Sequence, residues 1–330
     1  MKAVQFARHG APHEVCDCVE LDDVGAPEAD EVVVEIEAAP INPADLLIIE
    51  GRYPGPETLP AGLGIEGVGR VIAIGAQAGD LSVGDRVMSL ARTNWAQRIR
   101  IKAAQAIKLP VGLDVLQAAM MKANPATALL MLRDYVDLSE GDWVIQNAAN
   151  SAVGRHVIRL ARARGLHTVN VVRRESLVAP LKDIGADLVI VDGDDLAARV
   201  REQSNGAAAK LAVDAIGGEA TLRLADCLAD GGTVVNYGFL SGKPCMITPH
   251  QAIVQGITLK GFWLAGLFRT APPEEIRAIY AEVARHLAEG TLQAPVEATY
   301  DIAEIKQALT HAEREGRDGK ILITPNGPVG

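Results

Sequence analysis

The chain has 330 residues, a formal net charge of −10 and a pI near 5.3, and it is 48% apolar and 22% charged. That is chain enough for about two globular domains, and an acidic balance with no basic run speaks against a nucleic-acid partner. No stretch approaches ~18 consecutive apolar residues, so no membrane role is expected, and the opening MKAVQFARHGAPHEV lacks the apolar core of a signal peptide, so a cytoplasmic protein is expected.

The first 122 residues read as an antiparallel β unit. Short apolar runs at Lys2–Phe6, Glu31–Ala38, Val68–Ile74, Asp85–Ser89, Gln97–Ile101 and Ala106–Leu109 are separated by Gly, Pro and Asp. Cys16 and Cys18 are too close for an ordinary bridge, and with Cys227 and Cys245 they are expected as free thiols. Two loops break the β pattern, Pro40–Leu46 and Gly51-Arg52-Tyr53-Pro54. A literal G-x-G-x-x-G follows at Gly62–Gly67. It comes after Pro60 and runs into a strand, whereas a dinucleotide fingerprint needs a strand before it and a helix after it, so it is rejected.

Ala118–Leu132 has helical composition, interrupted at Asn124-Pro125, where the helix restarts with proline in its first turn. From Asp142 the pattern changes. Trp143–Gln146 is a strand, Asn147–Gly154 a small polar loop, and Val153, Val157, Ile158 and Leu160 fall at helical spacing up to a Gly165 stop. Thr168–Val172 is a second strand, ending in Arg173-Arg174. A βαβ unit of this kind holds a dinucleotide pyrophosphate at its helix N-terminus, and arginine rather than an acid after the second strand selects a 2′-phosphate, hence NADPH. Strands and helices then alternate through Asp187–Val191, Leu196–Gln203, Lys210–Ala215, Ala220–Leu228, Gly232–Tyr237 and Ile257–Trp263, as in a parallel sheet covered on both faces. Glu274–Glu289 is an amphipathic helix, Ile302–His311 another, and Lys320–Thr324 a last strand. These do not extend a βαβ series and return to the first domain. The expected division is 1–122, 123–265 and 266–330.

A β-rich GroES-like domain holding an inserted Rossmann domain, a doubly wound parallel sheet, resembles the medium-chain dehydrogenase/reductases, an α/β fold. Ile41-Asn42-Pro43-Ala44-Asp45, Gly51-Arg52-Tyr53-Pro54, Asn124-Pro125-Ala126-Thr127-Ala128, Asn147–Gly154, Val171-Val172-Arg173 and Gly261-Phe262-Trp263-Leu264 are similar to those of the NADPH-dependent trans-2-enoyl thioester reductases of mitochondrial type. The resemblance implies hydride delivery to Cβ, an enolate that preorganised donors stabilise, and a proton at Cα. It implies Tyr53 as proton donor, Asn42 ordering the active-site loop, and Trp263 at the nicotinamide end. It assigns Asn124, Asn150, Ser151, Ala152, Val153, Arg173, Arg174, Tyr237, Gly238, Phe239, Leu240, Phe262, Trp263, Leu264 and Lys320 to the cofactor. Ala152 stands where relatives usually have glycine, and Glu175 where a basic or polar residue is usual. An acyl thioester substrate and a homodimer are implied as well.

Zinc alcohol dehydrogenases of the same superfamily place a Cys and a Gly-His-Glu in these loops. Here they read Asn42-Pro43 and Gly64-Ile65-Glu66, and no metal is expected. A quinone or small enone reductase on the same fold is the alternative enzyme. An NADPH-binding protein without catalysis is the alternative outside enzymology.

Overall fold

The computed structural model describes residues 1–329, and the chain divides into two compact units, Met1–Ala123 with the segment from Pro272 onward, and Asn124–Ala271. The first unit opens with β1 (Lys2–Phe6), β2 (Cys16–Glu20), β3 (Glu31–Pro40), β4 (Ala61–Gly62), β5 (Gly67–Ile74), β6 (Arg86–Ser89), β7 (Arg98–Lys102) and β8 (Ala106–Lys108). β2, β1 and β4 form one small sheet, and β3, β5, β6 and β8 run in order through a larger one with β7 also on β3. Gly62 ends β4 and Gly67 begins β5, so the literal glycine motif lies between strands and opens no helix.

Two elements here differ from the sequence expectation. Cys16–Glu20 is a strand, pairing Val4 with Cys18. It alternates too weakly to stand out. Pro43–Ile49 is a helix where a loop was expected. The signals were present. Asn42 is the N-cap, Pro43 occupies the first turn, and the Asp45 carboxylate accepts from Asn42 N at 2.9 Å, closing a capping box. The helix buries Ile48 and Ile49 in a core with Phe6, Ile36 and Trp95.

The second unit holds β9 (Trp143–Gln146), β10 (His167–Val172), β11 (Leu188–Val191), β12 (Ala209–Asp214), β13 (Leu228–Asn236) and β14 (Thr258–Gly261). All pair in parallel in the order β11-β10-β9-β12-β13-β14. Counted from β9 this is 3-2-1-4-5-6, the doubly wound Rossmann order, with its topological switch between β9 and β12. Helix Ala152–Ala163 follows β9 with Val157, Ile158 and Leu160 buried. The last strand stops at Gly261, short of the expected Trp263. Trp263 takes the N-cap position of a helix over Leu264–Thr270 that was not anticipated and that stays with this unit.

The remainder of the first unit supplies helix Pro273–Ala288, β15 (Val296–Tyr300), helix Ile305–Glu313 and β16 (Lys320–Ile323). β15 was missed because Val-Glu-Ala-Thr-Tyr buries only one side, and it pairs in parallel with β16. β16 is fully buried and pairs antiparallel with β3, which sets Lys320 inside the unit.

Candidate active site

In the second unit the loop after β9 keeps a dinucleotide shape without the usual glycines. Ala148 adopts φ +47, the left-handed conformation that a glycine ordinarily supplies. Ser151 caps the helix, its hydroxyl accepting from Gly154 N at 3.1 Å. That leaves the amides of Ala152 and Val153 without helical partners, the arrangement that receives a phosphate. Gly154 is the glycine that remains, and a Cβ there would lie 2.5 Å from Ala149 O. Gln146 Nε2 donates to Gly154 O at 2.9 Å and to Asn170 Oδ1 at 2.7 Å, tying the helix start to two strands. Beyond β10, Arg173 and Arg174 are exposed, and neither guanidinium pairs with a carboxylate among the described residues. These features fit a phosphorylated dinucleotide.

The switch point is built around Asp214, which sequence reading had treated only as a strand end. Its carboxylate is fully buried. It accepts from Asn147 Nδ2 (2.6 Å), Thr221 Oγ1 (2.6 Å), Asn236 Nδ2 (3.1 Å) and the amides of Ile216 and Gly217. Asn236 in turn donates to Gly238 O at 2.8 Å. A Cβ on Gly238 would sit 2.7 Å from Ala215 O, so this turn packs backbone on backbone. Tyr237 hydrogen-bonds Ser151, and burial pushes its phenol well above the ordinary range. Phe239 and Leu240 are exposed, and Phe262 meets Tyr135 edge-on at 6.3 Å. Trp263 is 41% exposed, which excludes a core-anchor role, and the Arg269 guanidinium lies 6.0 Å from its ring. Asn124 opens helix Asn124–Asp134, with Pro125 behind it in the first turn.

In the first unit, Asn42 sits in a buried group of charges. Asn42 Nδ2 donates to Glu66 Oε1 at 2.6 Å, and Lys320 Nζ donates to Asn42 Oδ1. Glu66 Oε2 accepts from Ala123 N at 2.9 Å, and Asp45 Oδ1 accepts from Ile65 N at 3.0 Å. Lys122 Nζ donates to the carbonyls of Ile65 (2.5 Å), Leu90 (2.8 Å) and Ala91 (3.0 Å). Lys320 is therefore no solvated surface lysine. Burial pushes Asp45 up to about 7 and the Glu66 carboxyl above its usual range. It draws both Lys122 and Lys320 down to about 8, with Glu66 pulling each the other way.

Tyr53 follows the Asn42-capped helix on a short tether. It is half-buried and packs on the first unit's core. Gly51 N and Arg52 N donate to the carbonyls of Ile48 and Leu47. Gly51 takes φ +75 with the His9 ring against it, and Arg92 donates to Pro54 O at 3.0 Å.

A zinc ion does not fit these residues. Asn42 and Glu66 stand in the loops that carry ligands in zinc relatives, but both are engaged with each other, and two ammonium groups flank them. Among the described residues no group of three or more His, Cys, Asp or Glu is placed to hold a metal.

The pattern described as "Alcohol dehydrogenase GroES-like domain" matches residues 28–116, and that described as "Zinc-binding dehydrogenase" matches 152–285. The mitochondrial enoyl-[acyl-carrier-protein] reductase of Rattus norvegicus is 34% identical over 98% of this chain and 88% of its own length. The chain is a medium-chain dehydrogenase/reductase of the enoyl thioester reductase branch. Solved structures that resemble this reductase include the following two. Etr1p of Candida tropicalis with NADP and crotonyl-CoA has a TM-score of 0.87 and 29% identity, covering 98% of this chain and 99% of that one. Escherichia coli quinone oxidoreductase with NADPH has a TM-score of 0.89 and 26% identity, covering 98% and 100%.

The cytoplasmic expectation does not stand, because the rat relative is named as a mitochondrial enzyme, as are its counterparts in Dictyostelium discoideum and Homo sapiens. Acidic charge and free thiols do not separate one reducing compartment from another, so composition could not have decided it.

Glu66, Asp45, Lys122 and Asp214 are the residues of these clusters that sequence reading passed over. Glu66 was noted only for the histidine missing beside it. An acid in a glycine-rich turn, a lysine before Asn-Pro and an acid at a strand end each look solvated until the fold buries them.

Proposed function

We propose that this reductase saturates the 2,3-double bond of trans-2-enoyl thioesters with NADPH as reductant. The observation that carries the proposal is the Asn42–Tyr53 segment. It is a capped helix fixed by buried charges, and it leads into a short loop that holds a half-buried phenol. NADPH supplies the hydride for Cβ when bound. Arg173 and Arg174 receive its 2′-phosphate, and the Ala152 and Val153 amides its pyrophosphate. Asn124, Asn150, Tyr237, Gly238, Phe239, Leu240, Phe262, Trp263 and Leu264 complete the cofactor contacts. Tyr53 holds a proton at its hydroxyl for Cα of the enolate, where a positioned acid accelerates transfer. The Etr1p complex with NADP and crotonyl-CoA supports this substrate class.

The test is NADPH consumption across a chain-length series of 2-enoyl-CoAs, with quinones alongside. Turnover of quinones but of no enoyl-CoA would replace this reading with the quinone reductase one, which the likeness to the E. coli enzyme favours. Binding of NADPH with no oxidation by either class would leave a cofactor-binding protein.

Lys320 is kept in the cofactor set on the resemblance alone. Homodimer assembly belongs to the same proposal. β14 is an edge strand, and Ile253 and Val254 beside it are 81% and 68% exposed, an apolar edge suited to a second copy. Sedimentation equilibrium of the purified chain tests it, a monomer at micromolar concentration being the adverse result.

A further inference from the structure

We propose that Glu66 is a positioning residue that sets, through Asn42, the placement of the helix and loop carrying Tyr53; the inference rests on the reading of Tyr53 given above. Glu66 is fully buried, and both its oxygens are used, one on Asn42 Nδ2 at 2.6 Å and one on Ala123 N at 2.9 Å. A carboxylate can only accept, so it fixes which end of the Asn42 amide faces it. Lys320 can only donate, and it holds the opposite end. The amide is therefore locked in one orientation by two groups of opposite charge. Asn42 is also the N-cap of helix Pro43–Ile49, whose last turn accepts from Gly51 N and Arg52 N. Rotation or retreat of Asn42 is thus passed along one rigid helix to Tyr53.

The surroundings show that Glu66 itself is pinned. Lys122 holds the Ile65 carbonyl and Asp45 the Ile65 amide, so the residue before Glu66 is gripped on both sides. Tyr280 donates to Lys122 O at 2.9 Å and steadies the next residue to Ala123. Such a buried charged group is a poor means of holding a fold together, because well-packed neutral replacements serve stability as well or better. A buried acid that fixes one amide is better understood as an orienting device.

Glu66→Gln keeps the size of the side chain but can also donate, so one of the two groups that fix the Asn42 amide no longer selects its orientation and Lys320 alone remains. Its kcat is expected to fall about tenfold or more, with KM for NADPH and for the enoyl-CoA within about threefold. Hydrogen–deuterium exchange is expected to quicken in the peptide spanning Asn42–Tyr53 and to stay unchanged in β5 and β6. Asn42→Asp combined with Glu66→Gln exchanges amide and carboxylate while allowing the contacts between residues 42, 66 and Lys320 to be made again, and should return the exchange pattern and part of kcat.

Unchanged exchange at Asn42–Tyr53 in Glu66→Gln overturns the inference. So does a parallel loss of kcat, NADPH affinity and melting temperature, which marks a merely structural residue. If Glu66→Gln does not fold, the double variant decides. A folded double variant with parental exchange supports the inference, and an unfolded one refutes it. An unmodified chain that reduces no enoyl-CoA, with exchange still altered by Glu66→Gln, would fail the proposed reaction and leave the positioning role standing.

Discussion

Ala148 holds a left-handed backbone in the loop after β9, at φ +47. Its Cβ makes that conformation unfavourable, and glycine there would relieve the strain at a cost in unfolded-state freedom. Ala148→Gly is therefore expected to be neutral or to stabilise by up to about 1 kcal/mol in urea melts, with NADPH affinity kept. A clear destabilisation would show that the Ala148 methyl packs to advantage. Tyr53 is expected to matter for chemistry alone. Tyr53→Phe should lose roughly 10²–10⁴ in kcat on enoyl-CoA with NADPH binding intact, and full retained activity would remove it as proton donor. Arg173 and Arg174 are exposed with no carboxylate partner among the described residues, so reversing them should cost little stability. Arg173→Glu with Arg174→Glu should weaken NADPH far more than NADH in titration calorimetry, and equal weakening would sink the 2′-phosphate assignment.

Helix Ala152–Ala163 does its binding work through its first turn. Gly154 has Ala149 O where a Cβ would go, 2.5 Å away, so the turn and the helix must separate if any side chain is added. Gly154→Ala is expected to destabilise by about 1–3 kcal/mol and to weaken NADPH, because the amides of the first turn move with the helix. Elements with strong periodicity or clear punctuation were legible without the fold. Leu196–Gln203 was placed to the residue, and the whole βαβ unit was found despite its missing glycines. Pro43–Ile49 was missed although Asn42, Pro43 and Asp45 are cap residues, because a helix of seven residues set among short strands is too brief to show a helical period. Strand Val296–Tyr300 and helix Leu264–Thr270 were hidden for another reason. Each is only half-buried, so tertiary context outweighed a weak local pattern. Burial of Glu66, Asp45, Lys122 and Lys320 could not be seen at all, since it depends on β16 returning beside β3.

At the scale of the molecule, those four side chains bury two carboxyl and two amino groups inside the first unit. Asp45 holds its proton up to about pH 7 in the folded chain, while an unfolded carboxylate has already lost it. The native state thus binds more protons between roughly pH 4 and 7, and this contribution to stability falls as pH rises through that window. Lys122 and Lys320, drawn down to about 8, act in the opposite sense and add stability as pH climbs from there toward the ordinary lysine range. Asp45→Asn cannot ionise. In urea melts the variant should gain on the parent as pH goes from 5 to 7, with a slope of up to about 1.4 kcal/mol per pH unit. A pH-independent difference would mean that Asp45 is ionised throughout. The three tryptophans are divided between the units in a way that has an optical consequence. Trp95 is 1% exposed inside the first unit, whereas Trp143 stacks on His167 at 4.8 Å and Trp263 is 41% exposed, both in the second. The bluest emission is therefore expected from Trp95 in the β-rich unit. Iodide-quenchable red emission reports Trp263, and a single fluorescence titration can follow the unfolding of each unit without any added label.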